Sequence, residues 1–152
     1  MLFDLLEQKG FEPWVDWEDI PKGASWLDEI YAGIEAANAF LFIISSSSLI
    51  SEVCNQEVVH AIKHNKRIIP VLRSEIQEKL LAGEWFEKDW EHTARSNWQF
   101  LKHVNWVFFR ETDDVNASLQ ILLDTLNVDL DYVKAHTRLI VRAIEWNTQD
   151  RQ

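Results

Sequence analysis

Basic residues are scarce in this chain: 15 Lys and Arg stand against 25 Asp and Glu, giving a formal net charge of -10 and a pI near 4.9. A phosphate backbone rewards a cationic surplus, so no nucleic acid is expected as a partner. Cysteine is scarcer still. Cys54 is alone, forms no internal disulfide, and leaves nothing to tie the fold to an oxidising compartment, so the expected location is the cytoplasm. Long apolar runs are also missing. The longest, Ala39 to Ile44, is far too short to span a bilayer, and Met1-Leu2-Phe3-Asp4 has no basic region, so neither a signal peptide nor a membrane anchor is expected. Repeats are absent, and the only low-complexity tract is the serine run Ser45 to Ser48, which reads as a loop.

What is present is an alternation of helical and strand patterns in 152 residues, enough for one compact domain and a short extension. Leu2, Leu5 and Leu6 fall on one helical face between Met1 and Lys9, and Gly10 follows where a left-handed cap belongs. Phe11 to Asp16 is aromatic and β-branched, but Pro13 has no N–H, so the pattern predicts an edge strand. Asp19, Pro21 and Gly23 mark a loop from Trp17 to Ala24. Ser25-Trp26-Leu27-Asp28 reads as a capping box opening a helix. Trp26, Ile30, Ile34 and Ala37 then form its inward stripe. Ala39 to Ile44 is apolar without alternation, the pattern of a central parallel strand covered on both faces.

Ser51 is placed to cap a helix bearing Val53, Cys54, Glu57, Val58, Ala61 and Ile62, and Lys66-Arg67 would close it against its dipole. Ile68 to Leu72 and Asn105 to Phe109 read as further strands, with an irregular, Trp-rich stretch from Ser74 to His103 between them. Val115, Leu119, Leu122, Leu123 and Leu126 return to helical spacing. The class is α/β with a parallel sheet. Beyond Asn127 the pattern restarts, and Val133, Leu139, Ile140, Ala143 and Trp146 suggest an amphipathic helix. The expected organisation is a domain over residues 1–127 and a helical connector over 128–152.

The ordered set from Phe11 to Leu72 resembles the heart of a Toll/interleukin-1 receptor (TIR) domain. It comprises Asp16, the loop Asp19-Ile20-Pro21-Lys22-Gly23, a helix, an apolar strand, Ser45, then Ser51, Cys54 and Glu57, then Ile68-Ile69-Pro70-Val71. The bacterial type is the closest flavour. The tail, Ala135 to Leu139 and Arg142 to Trp146, is similar to segments joining bacterial TIR domains to a further module. The resemblance implies a flavodoxin-like parallel sheet with helices on both faces and a ligand crevice at the carboxyl ends of the strands. Members begin with a strand of the Phe-Ile-Ser-Tyr kind, whereas this chain begins inside the following helix. The expectation is a sheet without that first strand, which belongs between the strands ending at Asp16 and Ser45, leaving two rows of backbone groups unpaired.

Two functions attach to the family. One is cleavage of the nicotinamide–ribose bond of NAD⁺, a substrate rather than a cofactor, with the catalytic glutamate matched by Glu57 and the substrate pocket by Ser45, Trp17 and Cys54. The other is self-association as a non-catalytic signalling adaptor through the loop of Asp19, Ile20, Pro21 and Gly23. Implied partners are NAD⁺, further copies of the chain and a downstream module, without nucleic acid or membrane.

Each residue also has a plainer reading. Glu57 could be a solvated helix residue, Cys54 a small core residue, Ser51 a helix cap and Trp26 inward packing. Asp16, Glu18 and Asp19 form an acidic cluster of the usual solvated kind. Glu57, His60 and His64 share a helical face, but no His-Glu-x-x-His run and no third ligand segment accompany them, so no metal is expected. Val53 stands where members often carry an aromatic residue, which reduces the area for stacking on a ligand.

Overall fold

The computed structural model describes residues 2–14 and 25–127. The predicted loop residues Trp17, Asp19, Ile20, Pro21 and Gly23, together with Asp16, lie outside the described residues, as does the connector predicted over 128–152. The chain divides into two compact units, Met1–Glu111 and Thr112–Gln152.

The first unit opens with α1 (Leu2–Gln8). Gly10 has φ +86°, Phe11 N–H donates to the Leu6 carbonyl and Gly10 N–H to the Glu7 carbonyl. This is the Schellman closure that its glycine foreshadowed. Residues 11–14 form no strand, which corrects the edge-strand expectation over its described part. Pro13 has no N–H to give a ladder, and Trp14 is engaged elsewhere. Its ring lies against α2 (Trp26–Ala36), 2.9 Å from where a Cβ on Gly33 would stand. A glycine inside a helix costs about 1 kcal/mol relative to alanine, and here it makes room for that indole.

Ile30 and Ile34 of α2 are buried as its periodicity predicts. Two details differ. Ser25 makes no side-chain capping bond, and Trp26 is 49% exposed. Trp26, in the first turn, lies a full turn before the buried stripe, which begins at Ile30.

Strand β1 (Ala39–Ile44) runs parallel to β2 (Arg67–Leu72), with Ala39 opposite Arg67 and Ile44 opposite Leu72. β2 pairs in turn with β3 (Val107–Phe108), so the order is β1-β2-β3. β2, not β1, is therefore the covered strand: Ile68 to Leu72 are all buried, whereas Ile43 of β1 is 41% exposed. Among the described residues no strand pairs with the outer edge of β1, so it is an edge strand where a central one was expected.

Pro70 survives inside β2 because backbone groups alternate in direction along a strand. Arg73 N–H donates to the Ile44 carbonyl across to β1, and the Leu72 carbonyl accepts from Phe109 N–H on the β3 side. Pro70, two residues before Leu72, also turns towards β3, where the ladder pairs only Val71 and Leu72. Its missing donor falls beyond the end of that short ladder.

Between β1 and β2 lie α3 (Ser46–Ile50) and α4 (Glu52–Lys63). The serine run is thus a helical turn, not a loop. Ser45 and Ser48 bond reciprocally in a capping box, satisfying donors that would otherwise disfavour so short a helix. Between β2 and β3, the stretch that read as irregular contains α5 (Glu78–Leu81) and α6 (Glu91–Leu101). One face of the sheet, with Phe42, Ile44, Ile68 and Leu72, packs with Ile30 and Ile34 of α2, Val58 and Ala61 of α4 and Leu101 of α6. Fully burying a side chain of this size contributes about 1.5–3 kcal/mol, so this contiguous cluster is the main cohesive element of the first unit. The architecture is a parallel sheet flanked by helices, as expected, with three strands among the described residues.

In the second unit, residues 115–127 are helical. The Asp114 carboxylate accepts from Ala117 N–H and caps the first turn. Leu119, Leu122 and Leu126 are buried, while Val115 is exposed.

Candidate functional site

Ser45 directly follows β1, and Ser51, Cys54 and Glu57 lie on the cap and first two turns of α4, one short helix further along the chain. Ile44 ends the strand, and the next residue, Ser45, caps α3: its Oγ accepts from Ser48 N–H at 3.1 Å while Ser45 N–H donates to Ser48 Oγ at 2.9 Å. After α3, Ser51 Oγ accepts from Cys54 N–H at 3.3 Å and caps α4. Both serines therefore serve as caps. Ser45, which matched the family's ligand contact, spends one acceptor direction on its helix and keeps a hydroxyl hydrogen to rotate. Cys54, in the first turn of α4, packs against the hydrophobic core. Glu57 stands one turn further along the same face, half-buried.

The support beneath this cluster was not foreseen. Asn55 is buried, and its Nδ2 donates to the carbonyls of Leu49 (3.0 Å) and Ser51 (2.8 Å). Its Oδ1 accepts from Nδ2 of Asn97, itself buried on α6, at 2.9 Å, and Asn97 Nδ2 also reaches the Asn55 carbonyl at 3.1 Å. Trp90 Nε1 donates to the Ile50 carbonyl at 2.9 Å, and Ser46 Oγ accepts from Gln77 N–H at 2.8 Å. The turn carrying Ser45 and Ser51 is thus clamped by the Trp90 and Asn97 side chains and the Gln77 backbone, all from the segment that looked irregular. Buried amides with their partners satisfied fix geometry, because any displacement leaves a desolvated polar group unpaired. The only sequence signal was the spacing of Ala94, Asn97 and Leu101, three and four residues apart.

The carboxyl half of α4 carries a second cluster. Glu35, at the end of α2, places Oε1 3.0 Å from His60 Nε2 and 3.2 Å from His64 Nε2. Glu57 is not the carboxylate that meets these histidines in that group. Lys66 does not neutralise its own helix terminus as the sequence suggested. Its ammonium donates to the carbonyls of Glu35 and Ala37 at the end of α2.

In open parallel α/β sheets flanked by helices, ligands characteristically bind in the crevice at the carboxyl ends of the strands. A model of the TIR domain family matches residues 1–123. The chain belongs to the TIR domain family. Its structure is similar to the TIR domains of the activated Roq1 resistosome, which directly recognises the pathogen effector XopQ, with 20% identity and a TM-score of 0.67 over 82% of this chain and 87% of that one. It also matches the TIR domain of the Toll-related receptor TRR-2 from Hydra magnipapillata, with 20% identity and a TM-score of 0.47 over 68% and 82% of the two chains. No curated protein matches its sequence significantly. Among the described residues, no helix is long and apolar enough to cross a membrane.

Proposed function

We propose that this TIR domain, of bacterial type, belongs to a signalling or defence protein that cleaves NAD⁺ between nicotinamide and ribose when its TIR domains associate. The observation that carries this reading is the position of Glu57: half-buried in the second turn of α4, one turn beyond Cys54, on a helix whose first turn is capped by Ser51 and tied to the Leu49 carbonyl of α3 by Asn55. A single carboxylate suffices for this chemistry. Nicotinamide departs from a pyridinium as a neutral molecule, so the leaving group needs no acid. The ribose left behind is oxocarbenium-like, and an anion held beside it, or gripping its hydroxyls, supplies electrostatic stabilisation. Water or another nucleophile then adds to that carbon. Ser45, Trp17 and Cys54 are the proposed substrate contacts that accompany Glu57.

Nicotinamide release from NAD⁺ by concentrated protein tests the reading, with Glu57→Gln as the partner experiment. Glu57→Gln is expected to lower the rate by about 100-fold or more, the scale of losing one well-placed charge stabiliser. A Glu57→Gln protein as active as the original, or an original inactive even when assembled, returns the domain to the non-catalytic adaptor reading. Association is assigned to the loop of Asp19, Ile20, Pro21 and Gly23. Pro21→His or Gly23→Ala should weaken self-association in sedimentation without unfolding the monomer, and unimpaired assembly by both removes the loop from that role.

A further inference from the structure

We infer that Glu35, His60 and His64 form a binding site for a first-row divalent cation of the zinc class. The three potential ligand atoms lie within 4.8 Å of one another. His60 and His64 are four residues apart on α4, which aligns two imidazoles on one helical face. The third ligand comes from a different helix, the last turn of α2, and its Oε1 already sits 3.0 and 3.2 Å from the two Nε2 atoms. Ligand atoms each about 2.0–2.2 Å from a tetrahedral zinc are separated by a little over 3 Å; both Glu35–His distances already meet that spacing, and the two imidazoles have to close from no more than 4.8 Å. Two neutral imidazoles and one carboxylate suit zinc, nickel or copper better than magnesium or calcium, which favour all-oxygen cages.

The surroundings hold the ligands ready. Tyr31, one turn before Glu35 on α2, stacks on His60 with centroids 4.0 Å apart and planes 11° from parallel, which fixes the plane of that ring. Asn65, at φ +54°, closes α4 in a Schellman motif: its own N–H donates to the Ile62 carbonyl and Lys66 N–H to the Ala61 carbonyl. The motif places the Lys66 ammonium on the carbonyls of Glu35 and Ala37, at 2.5 and 2.8 Å. The two helix ends that supply the ligands are therefore joined by a backbone-directed tie that occupies no ligand atom. Side-chain exposures of 13% for His60, 34% for His64 and 47% for Glu35 leave an entry path and a coordination position facing solvent, where water completes the shell. Binding pins the end of α2 to the end of α4, the helix that carries Glu57. The site is independent of NAD⁺ cleavage.

The test uses the full chain without a polyhistidine tag, titrated with zinc by calorimetry and with cobalt followed by visible absorption. The expected result is one ion per chain, the d–d bands of four-coordinate cobalt, and a Tm rise of roughly 5–10 °C at about 100-fold excess over Kd. Glu35→Gln and His64→Ala should each weaken binding by about 100-fold or more, and Tyr31→Leu, which only orients a ligand, by about tenfold. Circular dichroism checks that each variant is folded; the exposure of Glu35 and His64 makes both tolerant positions. Glu57→Gln should bind zinc like the original. No saturable uptake of either metal, or unaltered affinity in both Glu35→Gln and His64→Ala, overturns the assignment. Loss of binding in Glu57→Gln with retention in Glu35→Gln does so as well, by moving the carboxylate ligand along α4.

Discussion

At its amino end, α4 is held by buried amides: Asn55 donates to the carbonyls of Leu49 and Ser51, and Asn97 donates to Asn55. At its carboxyl end, the same helix is held by half-exposed groups, with Glu35 between two imidazoles and Lys66 on the end of α2. The buried network is rigid because breaking it strands desolvated groups; the exposed one yields readily, because water replaces each partner. A site that must keep a carboxylate in register belongs at the first kind of end. A site that must admit and release a cation belongs at the second.

Asn55→Ala should therefore have the largest effect on stability. It removes the donor to two carbonyls and the acceptor for Asn97 in a dry environment, and about 3 kcal/mol of destabilisation is expected in urea unfolding. A loss below about 1 kcal/mol would erase the proposed contrast between the ends. Ser51→Ala, which removes the N-cap hydroxyl from Cys54 N–H, should cost about 1 kcal/mol in the same measurement. Smallest of all, Glu35→Gln in metal-free buffer should change stability by less than about 0.5 kcal/mol. A large loss there would make the carboxyl-end cluster a structural support rather than an open site.

The elements that were legible in advance are those whose signals lie within a few residues. Ala39 to Ile44 announced β1 to the residue, because an uninterrupted apolar hexamer bounded by Asn38 and Ser45 leaves no other reading. Gly10 foretold the left-handed closure of α1, and Ser51 the start of α4. The position of β1 in the sheet was not legible, because an apolar run reports that a strand is apolar, not which neighbours it meets. Helix α6 was missed because its inward stripe contains Asn97, and polarity at a core position reads as exposure until Asn55 is seen opposite. The serine run was misread for a related reason: serine has modest helix propensity, and only the reciprocal bonds of Ser45 and Ser48 make the turn favourable. At the candidate site, the one-turn spacing of Cys54 and Glu57 was legible, but the clamp that holds their helix was not.

By itself, then, the sequence determined the α/β alternation, the closure of α1 at Gly10 and the start of α4 at Ser51, the placement of Glu57 one turn beyond Cys54, and the alignment of His60 with His64. These follow from torsional preference and periodicity, which act over one or two turns of chain. Only the tertiary structure decided that β2 is the covered strand, that Asn97 secures Asn55 across 42 residues of sequence, and that Glu35, 25 residues before His60, faces the histidine pair. Such pairings are set by how apolar faces stack when the core closes, and the energy of that closure belongs to no single segment.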